Sequence, residues 1–275
     1  MEERYKIGMI SKLLGIPIQT LHYYEKCGFV TPNKDDSSNY RYYNAWDINF
    51  LLDSKFLRAF EFPNAVIEQI VNRDDIQSIY SRYESQEHYL LQQLHHYQGL
   101  LEALHAEKTK LARFEKSVGK LEERKSPELF FNSYRCNNQF CTTDNEEEVP
   151  QIFEWITHFP YVKATFMIDV EKNSDVAMDK LNYWWGFSVS PKKARELAIP
   201  TSELADYFPA RNSLYTVFKA STQDTFIPSV VEQVLEPIIQ QGYEIIDKPI
   251  GRLIIRSHKE DQYERVFEIW VPVEK

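Results

Sequence analysis

The sequence predicts an α+β chain in three successive parts. These are a winged helix-turn-helix (residues 1–72), a long dimerisation helix (73–125) and a C-terminal α/β domain of two strand-helix-strand-strand repeats (126–275). Three observations predict this order. Two short helical stretches with glycine stops precede a turn- and tyrosine-rich segment. From Asp75 to Glu123 there is no proline, and apolar residues recur at heptad spacing. Beyond that the pattern changes to short β-prone runs with two helical ones between them.

In "IGMISKLLGI", Ile7, Ile10, Leu13 and Leu14 share one helical face and Gly15 ends the helix. Pro17 suits the opening of a second helix, Ile18 to about Lys26, which Gly28 stops. Two short helices joined by a tight glycine turn form the helix-turn-helix pattern, whose second helix enters a DNA major groove. "VTPNKDDSSNYRYYN", polar from Asp35 to Asn39 and aromatic after it, reads as a two-stranded ribbon with a polar tip. Asn44 is then an N-cap for a helix with apolar spacing at Trp46, Ile48, Leu51, Leu52 and Phe56, and "PNAVIEQIV" makes another short helix.

In the second part, steps of four and three pick out Tyr83, Glu87, Leu90, Leu94, Tyr97, Leu101, Leu104, Lys108 and Leu111, with Gly99 as an interior break. A lone helix of this length leaves its seam wet. Few other helices of the chain are long enough to cover it, so a homodimer is favoured over packing within the chain. The third part starts near Ser126-Pro127, after the charged run "KLEERK". Its strands are expected in "ELFFNSY", "KATFMIDV", "YWWGFSV", "SLYTVFKAS", "GRLIIRS" and "VFEIWVPV", and its helices in "EVPQIFEWITHF" and "FIPSVVEQVLEPIIQQ". Strand, helix, strand, strand then occurs twice, and the cleft between two such halves is a natural pocket.

Charge is uneven. Residues 1–72 hold 8 Lys and Arg against 9 Asp and Glu, whereas residues 126–275 hold 15 against 23. A near-neutral first part still binds nucleic acid when its cations share one face, and the acidic last part is a poor partner for phosphates. No apolar run reaches bilayer length and "MEERYKIG" lacks the apolar stretch of a signal peptide, so a cytoplasmic protein without a membrane partner is expected. Cys27, Cys136 and Cys141 are too few for a disulfide framework, and two ordinary thiols are the better reading of the last pair than a metal site. No cofactor and no metal are expected.

The stretch Ile7–Tyr43 resembles the MerR family of bacterial transcription regulators, through "IGMISKLLGI", "TLHYYEKCGFVTP" and "NYRYY". Two positions depart from the family's pattern: His22 stands where an arginine usually precedes the tyrosine pair, and Lys34 where an arginine follows the wing proline. The C-terminal part is similar to the GyrI-like effector-binding domain, through "YFPARNSLYTVFKAS" and "FEIWVPV". The combination resembles the multidrug-sensing, BmrR-like branch. The metal and redox branches sense through cysteine clusters that this chain lacks.

The resemblance implies a homodimer joined by an antiparallel coiled coil on a pseudo-palindromic promoter. Effector binding in the C-terminal domain then bends and untwists the DNA, so that RNA polymerase meets both promoter elements in register. No catalysis is implied. The rivals are a GyrI-like small-molecule hydrolase using Glu268, and a metal or redox sensor through Cys136 and Cys141.

For contact with double-stranded DNA the candidates on the second helix are Gln19, Thr20, His22, Tyr23, Tyr24 and Lys26. Positions 19, 22, 23 and 26 share one face, and 20 and 24 another. A tyrosine ring packs on sugar or a thymine methyl while its hydroxyl donates to phosphate; the other reading places one tyrosine in the core. In the wing the candidates are Lys34, Tyr40, Arg41 and Tyr43. Histidine is shorter than arginine and largely neutral near pH 7, so His22 implies a different operator base or more reliance on Lys34, Tyr40 and Arg41.

For a small aromatic effector the candidates are Tyr161, Phe166, Tyr183, Trp184, Trp185, Tyr215, Phe218, Glu268 and Trp270. Strand alternation puts Tyr183 and Trp185 on one face and Trp184 on the other, and Glu268 with Trp270 opposite Phe267, Ile269 and Val271. A carboxylate among aromatic rings suits a lipophilic cation, and without a partner it would store strain that a cation relieves. The alternative is that these rings are core. Arg252 stands about where BmrR-like sensors carry an acid, so it either pairs with Glu268 or turns the pocket toward anionic or neutral ligands.

Overall fold

The computed structural model describes residues 4–35, 40–137, 139–140, 148–170, 181–201, 205–222, 224–259 and 262–275. The chain divides into two compact units, Met1–Gln98 and Gly99–Lys275.

The first unit runs β1 (Tyr5–Lys6), α1 (Ile7–Leu14), α2 (Ile18–Lys26), β2 (Asn33–Lys34), β3 (Arg41–Tyr43), α3 (Ala45–Ala59) and α4 (Asn64–Asn72), then enters the long α5 (Ile76–Ser117). Gly15 closes α1 at φ 62° and Gly28 follows α2 at φ 76°, left-handed conformations that glycine adopts without strain. Two longer side chains hold these ends. The Lys55 ammonium of α3 donates to the Leu14 carbonyl at 2.7 Å, and the Asn72 amide of α4 donates to the Gly28 carbonyl at 2.7 Å. The two helices of the pair are thereby fixed by elements on which they also pack through Ile10, Leu21 and Tyr24.

The ribbon has a third strand: β1 pairs with β3 (Tyr5↔Tyr43), and β2 with the other edge of β3. Two residues of β1 are too short to show a period in sequence. The expected ribbon tip, residues 36–39, lies outside the described residues. Asn44 caps α3 in a reciprocal capping box with Asp47. The buried face of that helix is Asp47, Leu51, Ser54 and Leu57, while Trp46, Leu52 and Phe56 are exposed, as is Leu13 of α1. Apolar residues alone misplace that face, because Asp47 is held by its cap and the Ser54 hydroxyl by the Phe50 carbonyl.

Helix α5 passes through Gly99 without a break over 42 residues. Glycine inside a helix costs only about 1 kcal/mol. None of its residues is fully buried, and Leu94, Tyr97, Leu101 and Leu104 are each more than half exposed. It is long, yet no helix among the described residues is long and apolar enough to cross a membrane.

The second unit is built on a sheet of β4 (Glu122–Lys125), β5 (Leu129–Cys136), β6 (Gln139–Phe140), β7 (Lys163–Asp169), β8 (Asn182–Val189), β9 (Asp206–Phe208), β10 (Asn212–Ala220), β11 (Glu244–Ile245), β12 (Ile250–Lys259) and β13 (Gln262–Glu274). Helices α6 (Glu148–Thr157) and α7 (Pro191–Glu196) lie in its first half. The second half holds α8 (Phe226–Val230), a π-helical turn (Val231–Leu235) and α9 (Glu236–Gln240). Pro237 cannot donate to the preceding turn, which accounts for the wider turn before it. The strand order is β4-β10-β13-β12-β7-β8-β5-β6. The triplets β5-β8-β7 and β10-β13-β12 thus meet antiparallel at β7 and β12, with Ile250 opposite Met167. The "EERK" of the charged run, expected within the dimerisation helix, instead forms β4 on the edge of β10 (Asn212↔Lys125).

One face of this sheet is closed by α8, the π turn and α9, with Phe226 of α8 packed over Phe166, Trp185, Phe218 and Phe267. On the other face Phe114 and Val118, from α5 and just beyond it, pack against Tyr215, Val217, Val266 and Trp270.

Candidate functional site

In the first unit α2 presents Gln19, Tyr23 and Lys26 to solvent, with Thr20 and His22 half-buried beside them. The Tyr23 side chain is exposed, and its hydroxyl is engaged. It accepts from the Asn64 amide at 2.8 Å, and Asn64 in turn accepts from Arg58, so α2 is braced by the start of α4. Lys34 and Arg41 lie directly opposite each other across the ribbon, and Tyr40 is 60% exposed with the Lys6 ammonium 6.0 Å from its ring centre.

Glu25 joins these pieces. Its carboxylate accepts from Arg41 Nε at 2.6 Å, lies 3.6 Å from the Lys34 ammonium and 3.7 Å from His22 Nδ1. One acidic side chain therefore ties the ribbon cations to α2. Burial pushes the Glu25 carboxyl up; the Arg41 hydrogen bond and charge, then Lys34 and His22, outweigh it and hold it below its ordinary value. A depressed folded pKa adds stability that is complete above the unfolded value and is lost as pH falls through the folded one. The protection of α2 amides, corrected for their intrinsic exchange rate, is therefore expected to fall as pH drops below the ordinary glutamate range in the wild type and to change much less in Glu25→Gln. Parallel pH profiles would contradict the linkage.

Two of the expected DNA-contact residues are placed elsewhere. Tyr24 is 4% exposed, its ring centre 4.9 Å from that of Phe29, and Tyr43 is fully buried. Burial raises the Tyr24 phenol, and pushes that of Tyr43 to about 12. A ring closed within the core has no face left for DNA. The 3.6-residue period could have separated the pair, because Tyr24 lies one turn from the buried Leu21 and Tyr23 does not.

In the second unit the expected effector residues divide between the two faces of the sheet. Phe166, Tyr183, Trp185 and Phe218 belong to the closed core, where Phe166 meets Phe226 edge-on at 5.0 Å and Phe218 at 6.1 Å. Glu268, Trp270 and Tyr215 lie on the face toward α5, with the rings of Tyr215 and Trp270 5.3 Å apart. Trp184 packs near Met167 and Phe131. The Tyr161 hydroxyl sits against α5, where a Cβ on Gly99 would come within 2.5 Å of it, and the Lys193 ammonium is 4.9 Å from its ring centre.

Glu268 is not the unpartnered carboxylate expected. It is 4% exposed, accepts from the Lys110 ammonium of α5 at 2.9 Å, and has the Tyr215 hydroxyl 3.5 Å away. Burial and then the Glu268 charge push the Tyr215 phenol to about 12. A second pair, Lys163 with Glu107 at 2.5 Å, ties α5 to β7. Arg252 stands opposite Glu268 in register, its guanidinium 5.8 Å from the Trp270 ring centre and its Nε buried without a hydrogen-bond partner. Burial lowers the Arg252 pKa, and the charges of Glu268 and Glu107 oppose that. The arrangement can exchange one cation for another at Glu268. Lys110 and Glu107 carried no local sequence signal, since Lys110 is 158 positions from its partner.

Cys27 and Cys136 are free thiols, and burial with the Asp169 charge raises that of Cys136; Cys141 lies outside the described residues.

Residues 6–43, the helix pair with its ribbon, match the model of the MerR family regulatory protein. This is a MerR-family DNA-binding element. The chain is 46% identical over 39 residues to an HTH-type transcriptional regulator, a ZntR homolog of Haemophilus influenzae. That stretch is 14% of this chain, and the chain spans 29% of the length of that relative. Among solved structures, an EcmrR–DNA complex aligns over 98% of this chain and 100% of its own, at 18% identity and a TM-score of 0.37. A hydrolase encoded by lin2189 of Listeria innocua aligns over 61% of this chain and 98% of its own, at 12% identity and a TM-score of 0.34. In the MerR element, sequence reasoning passed over Glu25, although it sits three residues after His22 on the same helical face.

Proposed function

We propose that the chain is a dimeric, effector-responsive transcription regulator of the multidrug-sensing type, with a GyrI-like C-terminal domain. Its MerR element binds a pseudo-palindromic promoter through Gln19, Thr20, His22, Tyr23, Lys26, Lys34, Tyr40 and Arg41. Two copies pair antiparallel along the exposed seam of α5, and effector binding bends and untwists the DNA so that RNA polymerase engages both promoter elements. The observation that carries the reading is the Glu25 centre, which holds the helix and the ribbon cations on one surface inside the stretch that matches the MerR model.

The proposed sensor is the face between α5 and the sheet. A lipophilic aromatic cation that took Glu268 from Lys110 would exchange one charge pair for another and gain ring contacts with Tyr215 and Trp270. It would also release one of the two ion pairs that tie α5 to the sheet. The ligand shifts the dimer only if it favours the released state, which the loss of Lys110 from Glu268 supplies.

The test is binding of the full chain to double-stranded DNA over a salt series. Removing one phosphate-contacting cation reduces the slope of log affinity against log salt by about 1. Lys26→Ala is expected to do so, whereas Lys12→Ala on α1 is not. Equal slopes for all three proteins would overturn the placement of DNA on α2.

A further inference from the structure

We infer that the second unit holds an anion-binding site made by Arg135, Arg256 and Arg265, specific for a small oxyanion: a phosphate or a carboxylate head group. The three arginines line one cavity of about 100 Å³ together with Trp185 and Phe267. They belong to three strands. Arg135 on β5 stands opposite Trp185, and Arg256 on β12 stands directly opposite Arg265 on β13.

Like charges facing each other across a ladder are destabilising, and a regular hairpin would not produce this pair. The register of β12 on β13 shifts by one residue between Leu253 and Ile255. Before the shift Leu253 faces Phe267; without it, Ile255 would face Arg265. The bulge turns an even-numbered residue onto the face of odd-numbered ones and so brings Arg256 to the cavity. Bulges of this kind re-aim side chains at sites.

Nothing described neutralises the cluster. Among the described residues no ion pair involves Arg135, Arg256 or Arg265, although this part of the chain carries more acids than bases. The Nε atoms of Arg135 and Arg265 are buried without a hydrogen-bond partner. What the guanidiniums do touch is weak or takes up one donor. Arg135 lies 5.6 Å from the Trp185 ring centre, Arg265 lies 5.4 Å from that of Phe267, and Arg265 also donates to the Thr222 carbonyl. Burial lowers the Arg265 pKa and the charges of Arg256 and Arg135 add to it, against the opposing influence of the Tyr263 and Tyr183 phenols. Guanidinium forks match the geometry of phosphate and carboxylate oxygens. The volume is that of about three waters, which admits such a head group. This site lies on the core side of the sheet, apart from Glu268, and does not depend on the cation reading of that face.

The test uses the full chain and inorganic phosphate, titrated calorimetrically at fixed ionic strength, with acetate in a parallel arm and chloride as control. Phosphate or acetate is expected to bind with a Kd below about 1 mM, the better of the two naming the head group, and chloride to leave no heat. Arg256→Gln, chosen because Arg256 is exposed, is expected to weaken that binding at least tenfold and, in anion-free buffer, to melt no lower than the wild type. Absence of binding by both anions, or equal binding by wild type and Arg256→Gln, would overturn the site. So would a marked fall in melting temperature for Arg256→Gln, since it would mean that Arg256 already has a partner.

Discussion

Replacing Phe166 with alanine is expected to lower the stability of the C-terminal unit by about 3–5 kcal/mol. The ring is fully buried and stands edge-on to Phe218, Phe226 and Phe267, with Trp185 tilted 5.6 Å away. It occupies space that Gly251 leaves open, where a Cβ would come within 2.2 Å of its Cζ. Neither the ring cluster nor the strand behind it can close over the gap, so the cavity term adds to the lost burial. Against a net stability of about 5–15 kcal/mol for a whole domain, such a loss leaves little reserve. Urea unfolding followed by tryptophan emission measures it, because Trp185 belongs to the same cluster. A loss below about 1 kcal/mol would mean that Phe166 borders an open pocket after all, as its place among the effector candidates implied.

The second large effect is expected at Lys110. Its removal leaves Glu268, 4% exposed, without its ion pair. Breaking a fully buried pair costs about 3–5 kcal/mol. Lys110 is about one third exposed and Arg252 is close enough to take part of the charge, so about 2 kcal/mol is expected for Lys110→Ala. The double variant Lys110→Met with Glu268→Met is expected to stay within about 1 kcal/mol of the wild type, since neither charge is then left buried alone. Lys110→Ala is also expected to bind the cationic dye rhodamine 6G about tenfold more tightly in a fluorescence titration, because the competing ammonium is gone. An unchanged dye affinity would remove Glu268 from the proposed sensor.

What could be read from the sequence followed local chemistry. Pro17 and Gly28 bracket α2, Asn44 caps α3, and the strands of the second unit lie in the runs rich in β-branched and aromatic residues. The faces of β8 and β13 also follow from alternation: Trp185 and Phe267 point one way, and Trp184 and Glu268 the other. What could not be read depended on partners distant in the chain. β1 and β4 are strands because β3 and β10 offer an edge, not because their own residues prefer it. Whether Glu268 is unpaired depends on a lysine 158 positions away. The bulge that pairs Arg256 with Arg265 is a matter of register, which the alternation pattern of β12 alone does not announce. Glu25 is the intermediate case: its partner His22 is visible on the helix, while Lys34 and Arg41 come within reach only once the ribbon has folded back.

The central claim is that α2 and the ribbon, organised by Glu25, form one DNA-reading surface that two copies present together. The most direct measurement is selection of bound duplexes from a random double-stranded library by the full chain, followed by sequencing. An enriched inverted repeat is expected for the wild type, with enrichment lost in Tyr23→Ala and in Arg41→Ala. No enriched sequence, an enriched motif without dyad symmetry, or the same motif at equal strength in both variants would contradict it.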